Sequence, residues 1–326
     1  MTAIPGVHEA HGGTLEVHGD GQVVTDYGRP TREASAARNG VGVIDHAPAV
    51  LSLRGPDRHA ALADAILGDP PRTDGSGRYD HVVAEGRIVA GVELYAGAER
   101  TLLLVDRTRL DSVRDRLGGT AVTTVSDEVG VFGVVGPTAT EKLASVLTVA
   151  TPADRLSFVR GSIEGAGVSA IRTDAPAGEE EFRVVCGADD AATVFEALTT
   201  RGVGAAPIGR RAYRTLTIEA GTPETTEVVG RDPAVTGRAD GDAGRLVGIE
   251  AGRVPQATAT IATDGDAIGT VTRAADSPTR GPIGFGYVDR PVATGTAIGV
   301  DGRPGTVVAL PFVTGSEPSG RVPQYD

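Results

Sequence analysis

Histidine and carboxylate side chains near the start of the chain are the first residues whose types and spacing could do chemistry. His8 and His11 stand at positions i and i+3 with Glu9 between them, and such a set can bind a transition metal. All six histidines fall within the first 81 residues. Because this segment is rich in glycine and alternates only weakly between polar and apolar residues, we predict a solvated strand here in preference to a metal site.

The only cysteine, Cys186, ends the run Phe182–Cys186, whose composition is typical of a strand. A single cysteine excludes an internal disulfide framework and any zinc or iron–sulfur cage built from the cysteines of one chain. We interpret Cys186 as a small buried core residue, with a reactive thiol as the alternative.

Several other functional classes find no support in the sequence. The run Gly281-Pro-Ile-Gly284-Phe-Gly286 is similar to a dinucleotide-binding loop, but a strand follows it where a helix N-terminus is needed. The arginines are scattered among acidic residues, so no basic stripe indicates nucleic-acid binding. No apolar run reaches the roughly 18–20 residues of a membrane span, and the first residues do not resemble a signal sequence, so we expect a cytoplasmic protein.

The basic residues are strongly skewed toward arginine. Lys142 is the only lysine among 31 basic residues, which leaves 30 arginines beside 43 acidic residues and a net charge of −12. A surface rich in carboxylates is typical of a salt-in cytoplasm such as that of haloarchaea, because screening at molar salt (a Debye length of about 3 Å) removes the self-repulsion. We therefore interpret the acidity as an adaptation to salt, and not as a mimic of nucleic acid.

Apolar periodicity predicts four helices, over 57–67, 108–117, 137–147 and 189–200, the third opening with the capping-box spacing Thr138…Glu141. Short runs of β-forming residues are found at 41–44, 50–53, 81–84, 88–95, 101–105, 129–135, 182–186 and 213–218. This order is not a regular βαβ alternation. We predict an α+β fold of mixed sheets with helices on one side, and not a doubly wound parallel sheet.

Residues 222–245 are rich in Gly, Asp, Thr and Pro, which predicts a loop or linker. Only strand-like runs separated by turns follow it, at 256–262, 267–272, 284–288, 297–300 and 306–310, and this pattern predicts a small barrel. We expect an N-terminal α+β domain over 1–125 that can include 205–245, a middle α+β domain over 126–204, and a C-terminal β-barrel domain over 246–326.

Five short motifs stand in a specific order in the barrel segment. They are Gly269-Thr-Val-Thr272, Ser277-Pro278, Ile283-Gly-Phe-Gly-Tyr287-Val288, Gly295-Thr296 and Pro311-Phe312. This order resembles the C-terminal barrel of the glycine cleavage T-protein (aminomethyltransferase) superfamily. Earlier segments are similar to other motifs of the superfamily in the same order, namely Arg38–His46, Leu53–Asp57, Gly136-Pro137, Gly178–Phe182 and Ile218–Pro223.

The resemblance implies a three-domain cloverleaf around a central hole that holds tetrahydrofolate. Enzymes of the superfamily transfer a one-carbon unit to or from the folate. The YgfZ-like members bind folate without known turnover and support iron–sulfur cluster assembly or repair, or tRNA modification.

The resemblance also implies residues for the folate site. Glu179 matches a glutamate of the motif "G-E-x-G-F-E" that accepts two hydrogen bonds from the pterin ring, which suits a carboxylate, while the alternative is an acidic surface loop. Tyr79 matches a tyrosine near the pterin, and the alternative is an ordinary half-buried aromatic residue. Asp69 matches the aspartate of "T-N-D", although it could simply end a helix.

One departure from the superfamily's pattern removes its acid–base residues. The pair "I-x-D-D", which positions the folate amine and manages its proton, falls on Ala90 and Gly91, and neither side chain can hold a proton. Glu93 would replace the pair only if the strand slipped by two residues.

A second departure removes a positive charge, because the arginine of "L-R-x-E-A-G" falls on Thr217. Arg210, Arg211 or Arg214 would have to reach the same space, and Arg214 is retained as a candidate folate contact.

The lost carboxylates and the short chain favour a YgfZ-like folate-binding protein that supports iron–sulfur client proteins. The hallmark "K-G-C-Y-x-G-Q-E" of that branch is absent, which leaves its thiol chemistry unexplained. The second hypothesis is a folate-dependent aminomethyltransferase with a relocated acid–base residue. The third is a non-catalytic scaffold with a degenerate folate site.

Overall fold

The computed structural model describes residues 2–118, 122–237 and 244–325. In these ranges the chain forms eight α-helices: α1 (Pro5–Ala10), α2 (Pro30–Asn39), α3 (Arg58–Ala65), α4 (Leu110–Leu117), α5 (Ala139–Ala144), α6 (Ala191–Thr200), α7 (Arg210–Glu219) and α8 (Thr225–Val228). Single 3₁₀ turns span Arg107–Arg109, Ala188–Asp190 and Pro233–Thr236. Of the helices described, none has the length and apolar character needed to cross a membrane.

The strands of the same ranges begin with β1 (Thr14–His18), β2 (Gly21–Asp26), β3 (Gly42–Asp45), β4 (Ala49–Arg54), β5 (Gly77–Ala84), β6 (Arg87–Ala96), β7 (Arg100–Val105), β8 (Val122–Thr124) and β9 (Val129–Val135). The middle of the chain adds β10 (Phe158–Ile163), β11 (Ala166–Arg172), β12 (Glu181–Gly187) and β13 (Ala206–Pro207). The last part contributes β14 (Arg245–Ala251), β15 (Thr260–Thr263), β16 (Asp266–Ser277), β17 (Gly281–Val288), β18 (Ala297–Val300) and β19 (Arg303–Val308).

These strands form a hairpin, two larger sheets and a barrel. Strands β1 and β2 make the hairpin, and one five-stranded sheet has the order β5-β6-β7-β4-β8. A six-stranded sheet has the order β10-β11-β12-β9-β3-β13, and the last six strands close into a barrel in the order β14-β17-β16-β15-β18-β19. The predicted α+β class with mixed sheets and a small C-terminal barrel is confirmed.

The two larger sheets each bury one face under helices. Leu51 and Leu94 of the five-stranded sheet pack with Leu62 of α3 and Val113 of α4. The six-stranded sheet packs in the same way against α5 and α6. The opposite faces of the two sheets share a smaller apolar cluster that includes Leu104. Polar side chains of the two sheets also meet, since Arg183 of β12 lies 3.3 Å from Glu93 of β6.

One local prediction was wrong, and one helix was not predicted. Residues 213–218 lie in helix α7, and not in a strand. The alternating run from Tyr213 to Ile218 fits both periods, and packing of Ala212 and Leu216 against α2 and β3 favours the helix. Helix α2 itself, which opens with Pro30 at its first turn, was absent from the prediction.

Two other predicted features also differ from the structure. Thr138 is the N-cap of α5 but makes no side-chain capping bond. A capping box occurs instead in the predicted linker, where Glu224 and Glu227 flank the start of α8. The barrel begins with β14, a strand that the prediction lacked. The domain boundaries proposed from the sequence stay a prediction.

Lys142, the only lysine, is completely buried on α5. Its Nζ donates to the carbonyl oxygens of Ala197, at 3.3 Å, and of Arg201, at the C-terminal end of α6. Carbonyls at this end have no partner within the helix, and the helix dipole favours a positive charge there. Burial lowers the pKa of the Lys142 amine. The residue therefore links α5 to α6.

Replacing Lys142→Met should keep the apolar stem and remove the ammonium donor. We expect the free energy of unfolding to fall by about 1–3 kcal/mol, because the carbonyls at the end of α6 lose their partner. Urea denaturation followed by circular dichroism measures this change. Glu141→Gln, on the exposed side of the same helix, is the control and should shift stability by less than about 0.5 kcal/mol. An unchanged midpoint in Lys142→Met would contradict the role.

Candidate functional site

A cavity opens where the two larger sheets, helix α7 and the C-terminal segment meet. It contains about 1100 Å³ of empty space, counting the solvent at its mouth. Strands β3, β5, β6, β7 and β12 contribute lining side chains, as do α7 and the start of α8. Several charged groups converge on this concave space, which is a feature of small-molecule sites.

A network of buried charges forms one wall of the cavity. Glu93 on β6 accepts hydrogen bonds from Arg321 Nη2 at 2.8 Å and from the Tyr95 hydroxyl at 2.9 Å. Arg183 Nη2 on β12 lies 3.3 Å from the same carboxylate. Arg321 also donates to Asp174, with Nη2 2.7 Å from Oδ1 and Nε 2.9 Å from Oδ2. The wall therefore joins both sheets to the C-terminal segment.

Arg183 continues the network toward α7. It forms a close ion pair with Glu181, and the Tyr213 hydroxyl donates to the same carboxylate at 2.9 Å. Arg183 Nη1 also lies 2.8 Å from His46 Nε2. Because an arginine can only donate, Nε2 of His46 accepts and the proton of the neutral ring lies on Nδ1.

The network determines which of these groups carry charge. Burial alone would raise the pKa of Glu93, but Arg183 and Arg321 outweigh it and lower that pKa to about 2. Burial, assisted by Arg183, holds the pKa of His46 well below its ordinary value. Burial raises the pKa of Glu181 despite the neighbouring arginine. At neutral pH the cavity therefore presents an ionised Glu93 and a neutral His46.

The positions of the missing acid–base pair are Ala90 and Gly91 on β6. Ala90 is buried in the core of the five-stranded sheet, whereas Gly91 lines the cavity. A Cβ atom at Gly91 would lie 2.5 Å from the hydroxyl oxygen of Tyr79, so the tyrosine occupies the space of a side chain here. Glu93 lies two residues further along the same strand, opposite Tyr79 in the pairing of β5 with β6, and it also lines the cavity.

The residues predicted from the sequence fall into two groups. Tyr79 and Arg214 line the cavity. Glu179 is not in the lining: Arg38 Nη1 donates to its carboxylate at 2.6 Å, and the backbone N–H of Ser316 donates at 2.9 Å. Asp69 is exposed after α3, also outside the lining. Their roles toward a pterin ring stay predictions.

The motif "G-E-x-G-F-E" contains two glutamates, and the second falls on Arg183. Arg183 lines the cavity. The second glutamate position of the motif therefore indicates a cavity residue, whereas the sequence-based prediction selected the first glutamate position. Arg321 had no such signal, because it lies in a C-terminal segment without a motif. Its guanidinium lies 3.7 Å from the centre of the Tyr79 ring.

A side chain of the barrel occupies the space near Thr217. Arg273 Nη1 on β16 donates to the Thr217 hydroxyl at 3.0 Å and lies 2.8 Å from Glu224 Oε1. Arg210 and Arg214 line the cavity from α7, whereas Arg211 pairs with acidic residues of the hairpin. A buried arginine from another part of the chain thus contacts the position where the superfamily has its own.

The segment that follows the barrel is held in place by hydrogen bonds to other parts of the chain. Ser316 holds Glu179, and Glu317 Oε1 accepts from Arg155 Nε at 2.6 Å. The Tyr325 hydroxyl donates to the carbonyl of Val235 at 2.6 Å. These anchors stand on both sides of Arg321 and therefore hold it in the cavity wall.

The histidine and cysteine predictions have different outcomes. His8 was expected in a solvated strand, but it is fully buried in α1, with Nε2 3.0 Å from Asp45 Oδ2 and Nδ1 2.8 Å from the Tyr27 hydroxyl. No cluster of three potential metal ligands occurs in the described ranges. Cys186 is buried as predicted, and burial raises the pKa of its thiol to about 12.

Two family models match the chain. The GCVT N-terminal domain matches residues 5–232, and the glycine cleavage T-protein C-terminal barrel domain matches residues 245–314. The chain therefore belongs to the glycine cleavage T-protein family.

Similar proteins are named as aminomethyltransferases. The aminomethyltransferase of Streptomyces avermitilis is 30% identical over 95% of this chain and 96% of the relative. A probable aminomethyltransferase of Haloarcula marismortui is 27% identical over 86% and 88% of the two chains. The crystal structure of the glycine cleavage system aminomethyltransferase T from Bartonella henselae has a TM-score of 0.82 at 19% identity, covering 96% and 98%. The predicted superfamily is confirmed, and its YgfZ-like branch stays a prediction.

Glu93→Gln tests the buried network through the pH dependence of stability. The folded-state pKa of about 2 lies below the ordinary 4.5, so ionised Glu93 stabilises the fold above about pH 5 and loses this effect as the pH falls toward 2. The variant should lose about 3–5 kcal/mol at pH 7, because two buried arginines lose a charged partner. Its stability should also change less between pH 5 and 2 than that of the wild type.

Urea denaturation across this pH range measures both effects. Glu99→Gln is the matched control, since Glu99 is exposed and lies 3.7 Å from Arg54 on the surface. If Glu93→Gln and Glu99→Gln gave the same small change, the network would not stabilise the fold.

Proposed function

We propose that the chain binds a reduced folate in the cavity and acts on its one-carbon unit as an aminomethyltransferase-type protein. The observation that carries the proposal is the position of the cavity: Tyr79, Gly91 and Glu93 line it together, and they include the family positions implied for the pterin and its amine. The names of the relatives support the same activity. Tetrahydrofolate would supply the amines that carry the one-carbon unit.

The lining suits a pterin ring in three ways. Tyr79 and Tyr213 offer aromatic surface, with Arg321 over the first ring. The aminopyrimidinone edge has both donors and acceptors, which Glu93 and the arginine groups can complement. The network around these groups is buried, so its hydrogen bonds are strong and its geometry is preorganised.

Proton transfer is the step for which the side chains that line the cavity are least suited. Glu93 has a pKa of about 2 and is therefore a weak base, and His46 already accepts from Arg183 through Nε2. His18 and Thr108, among other groups, lower the pKa of Asp106, and Arg273 and Thr217 lower that of Glu224. We expect turnover to be much slower than in a relative that keeps a carboxylate at the positions of Ala90 and Gly91.

A second candidate is a folate-binding protein without turnover, and Gly91 is the observation that favours it. The hydroxyl of Tyr79 takes the space of the missing side chain, so the cavity can hold the ring without an acid–base group. Support of iron–sulfur enzymes stays a prediction within this candidate. The buried thiol of Cys186 offers it no reactive group, because its pKa of about 12 keeps it protonated.

Tyr79→Leu should weaken tetrahydrofolate binding by about tenfold or more, because the ring and its arginine contact are lost together. Isothermal titration calorimetry at molar KCl measures the affinity. Tyr287→Leu is the matched control: Tyr287 also lies under an arginine, Arg231, at 3.4 Å, but outside the cavity. Equal affinities of the two variants would argue against a ring site at Tyr79.

Glu179→Gln separates the predicted pterin contact from a structural one. We expect lower stability with unchanged folate affinity, because the carboxylate joins Arg38 to Ser316. A large loss of affinity at unchanged stability would instead support the pterin role.

A turnover assay with an aminomethyl donor and tetrahydrofolate then decides between the two candidates. Formation of a one-carbon folate adduct supports the transferase, with a carboxylate-bearing relative as positive control. Folate binding without an adduct supports the second candidate. Absence of folate binding by the folded wild type contradicts both and leaves the scaffold hypothesis.

A further inference from the structure

A second cavity lies between the two larger sheets, and we call it the inter-sheet groove. It contains about 980 Å³ of empty space, counting the solvent at its mouth. Strands β4, β6 and β7 line it from one sheet, and β10, β11 and β12 line it from the other. It shares Leu104 with the cavity described above, but Tyr79, Gly91 and Glu93 are not part of its lining. The groove is therefore a separate place in the fold.

Strand alternation gives the groove an apolar part and a basic part. Successive side chains of a strand point to opposite faces, so Arg100 and Leu102 of β7 share the face turned away from the helices, whereas Leu103 packs in the helix-covered core. Phe158 and Arg160 of β10 share the groove-lining face of their sheet in the same way. Each sheet therefore brings apolar side chains and an arginine to the same space.

The apolar part offers surface that the fold leaves partly open to water. Leu102, Phe158 and Val185 are only partly buried where they pack against the cluster between the sheets. The Tyr95 ring lies edge to face with Phe158, with ring centres 6.4 Å apart, and its hydroxyl donates to Glu93 at 2.9 Å. The hydrogen bond fixes this ring, so a ligand with an apolar body finds a preorganised surface to cover.

The basic part brings like charges together. Arg54 and Arg100 are direct partners in the antiparallel pairing of β4 with β7, and like charges in such a pair repel each other. Arg160 reaches toward them from the other sheet, since a Cβ atom at Gly97, in the turn between β6 and β7, would lie 3.6 Å from its Nη2. Three guanidinium groups therefore lie around one turn.

The nearby carboxylates do not neutralise these charges. Glu99 is the acidic residue of the described lining, and its largely exposed carboxylate lies 3.7 Å from Arg54. Asp74, outside the lining, pairs with Arg160 at 2.7 Å. For Arg100, the described residues provide neither a hydrogen bond nor an ion pair to the guanidinium. One positive charge thus remains in excess, in a chain whose net charge is −12.

We propose that the inter-sheet groove binds an amphipathic monocarboxylate, with its apolar body against Tyr95 and Phe158 and its carboxylate between Arg54 and Arg100. Guanidinium groups donate paired N–H bonds to a carboxylate, and an anion between the two arginines removes their repulsion. The site rests on neither the folate proposal nor the residues of that cavity, so it stands or fails independently of the proposed function.

Calorimetric titration with octanoate tests the site. The titrations use the lowest KCl concentration at which circular dichroism shows a folded protein, because salt screens exposed charges. We expect saturable binding of octanoate by the wild type. Hexanoate should bind about tenfold more weakly, because it buries two fewer methylene groups. Octan-1-ol, which has the apolar body without the charge, should also bind at least about tenfold more weakly.

The variant Arg54→Gln/Arg100→Gln should bind octanoate about tenfold or more weakly, because it removes the two proposed partners of the carboxylate. Arg87→Gln/Arg290→Gln is the matched control: it removes the same charge from two exposed positions outside the groove and should leave the affinity unchanged. All four arginines are exposed, so circular dichroism should show that both double variants fold.

Tyr79→Leu locates the probe, because it alters the other cavity and should bind octanoate as the wild type does. The proposal is overturned if the folded wild type binds no octanoate, or if the two double variants bind it equally. Equal affinities for hexanoate and octanoate would also overturn it, since the apolar part would then contribute nothing. Loss of octanoate binding in Tyr79→Leu would place the probe in the other cavity and reject the groove.

Discussion

The paired burial of Arg183 and Arg321 is the constraint on which the rest of the structure depends. A buried charge is costly unless opposite charges and hydrogen bonds surround it, and here the partners come from distant parts of the chain. Arg183 lies between Glu181 of its own strand and Glu93 of the other sheet, while Arg321 joins Glu93 to Asp174. The desolvation cost is offset only when both sheets and the C-terminal segment are in place together, and this assembly shapes the cavity.

Two further arginines join parts of the chain in the same way. Arg38 on α2 donates to Glu179 and to Glu219 on α7, and Glu219 also receives the hydroxyl of Ser277 from the barrel. Arg273 of the barrel forms an ion pair at the start of α8. The guanidinium group suits these positions because it stays charged and donates along fixed directions. Part of the arginine bias in the composition therefore serves the interior of the protein.

The cavity lies where the family resemblance implies a ligand, but its side chains differ from the family's in acid–base chemistry. Tyr79 and the strand around Gly91 stand where the family resemblance implies a ligand, but the side chains there neither supply a base of ordinary pKa nor leave space for one. The C-terminal segment adds Arg321, and α7 adds Arg210 and Arg214. Affinity and turnover can therefore be tested separately in this protein, because Gly91 lacks the side chain that the family resemblance implies for proton transfer, whereas Tyr79 still lines the cavity.

The sequence alone determined the α+β class, the helices with a clear apolar period, the small C-terminal barrel and the loss of carboxylates at Ala90 and Gly91. These features depend on local periodicity or on residue identity. Only the tertiary structure decided that α7 is a helix, because its short run fits both periods. It also decided that Arg183 and Arg321 line the cavity while Glu179 anchors the C-terminal segment. Glu93 and Arg321 are 228 positions apart, and no local pattern records a contact between side chains so distant in the chain.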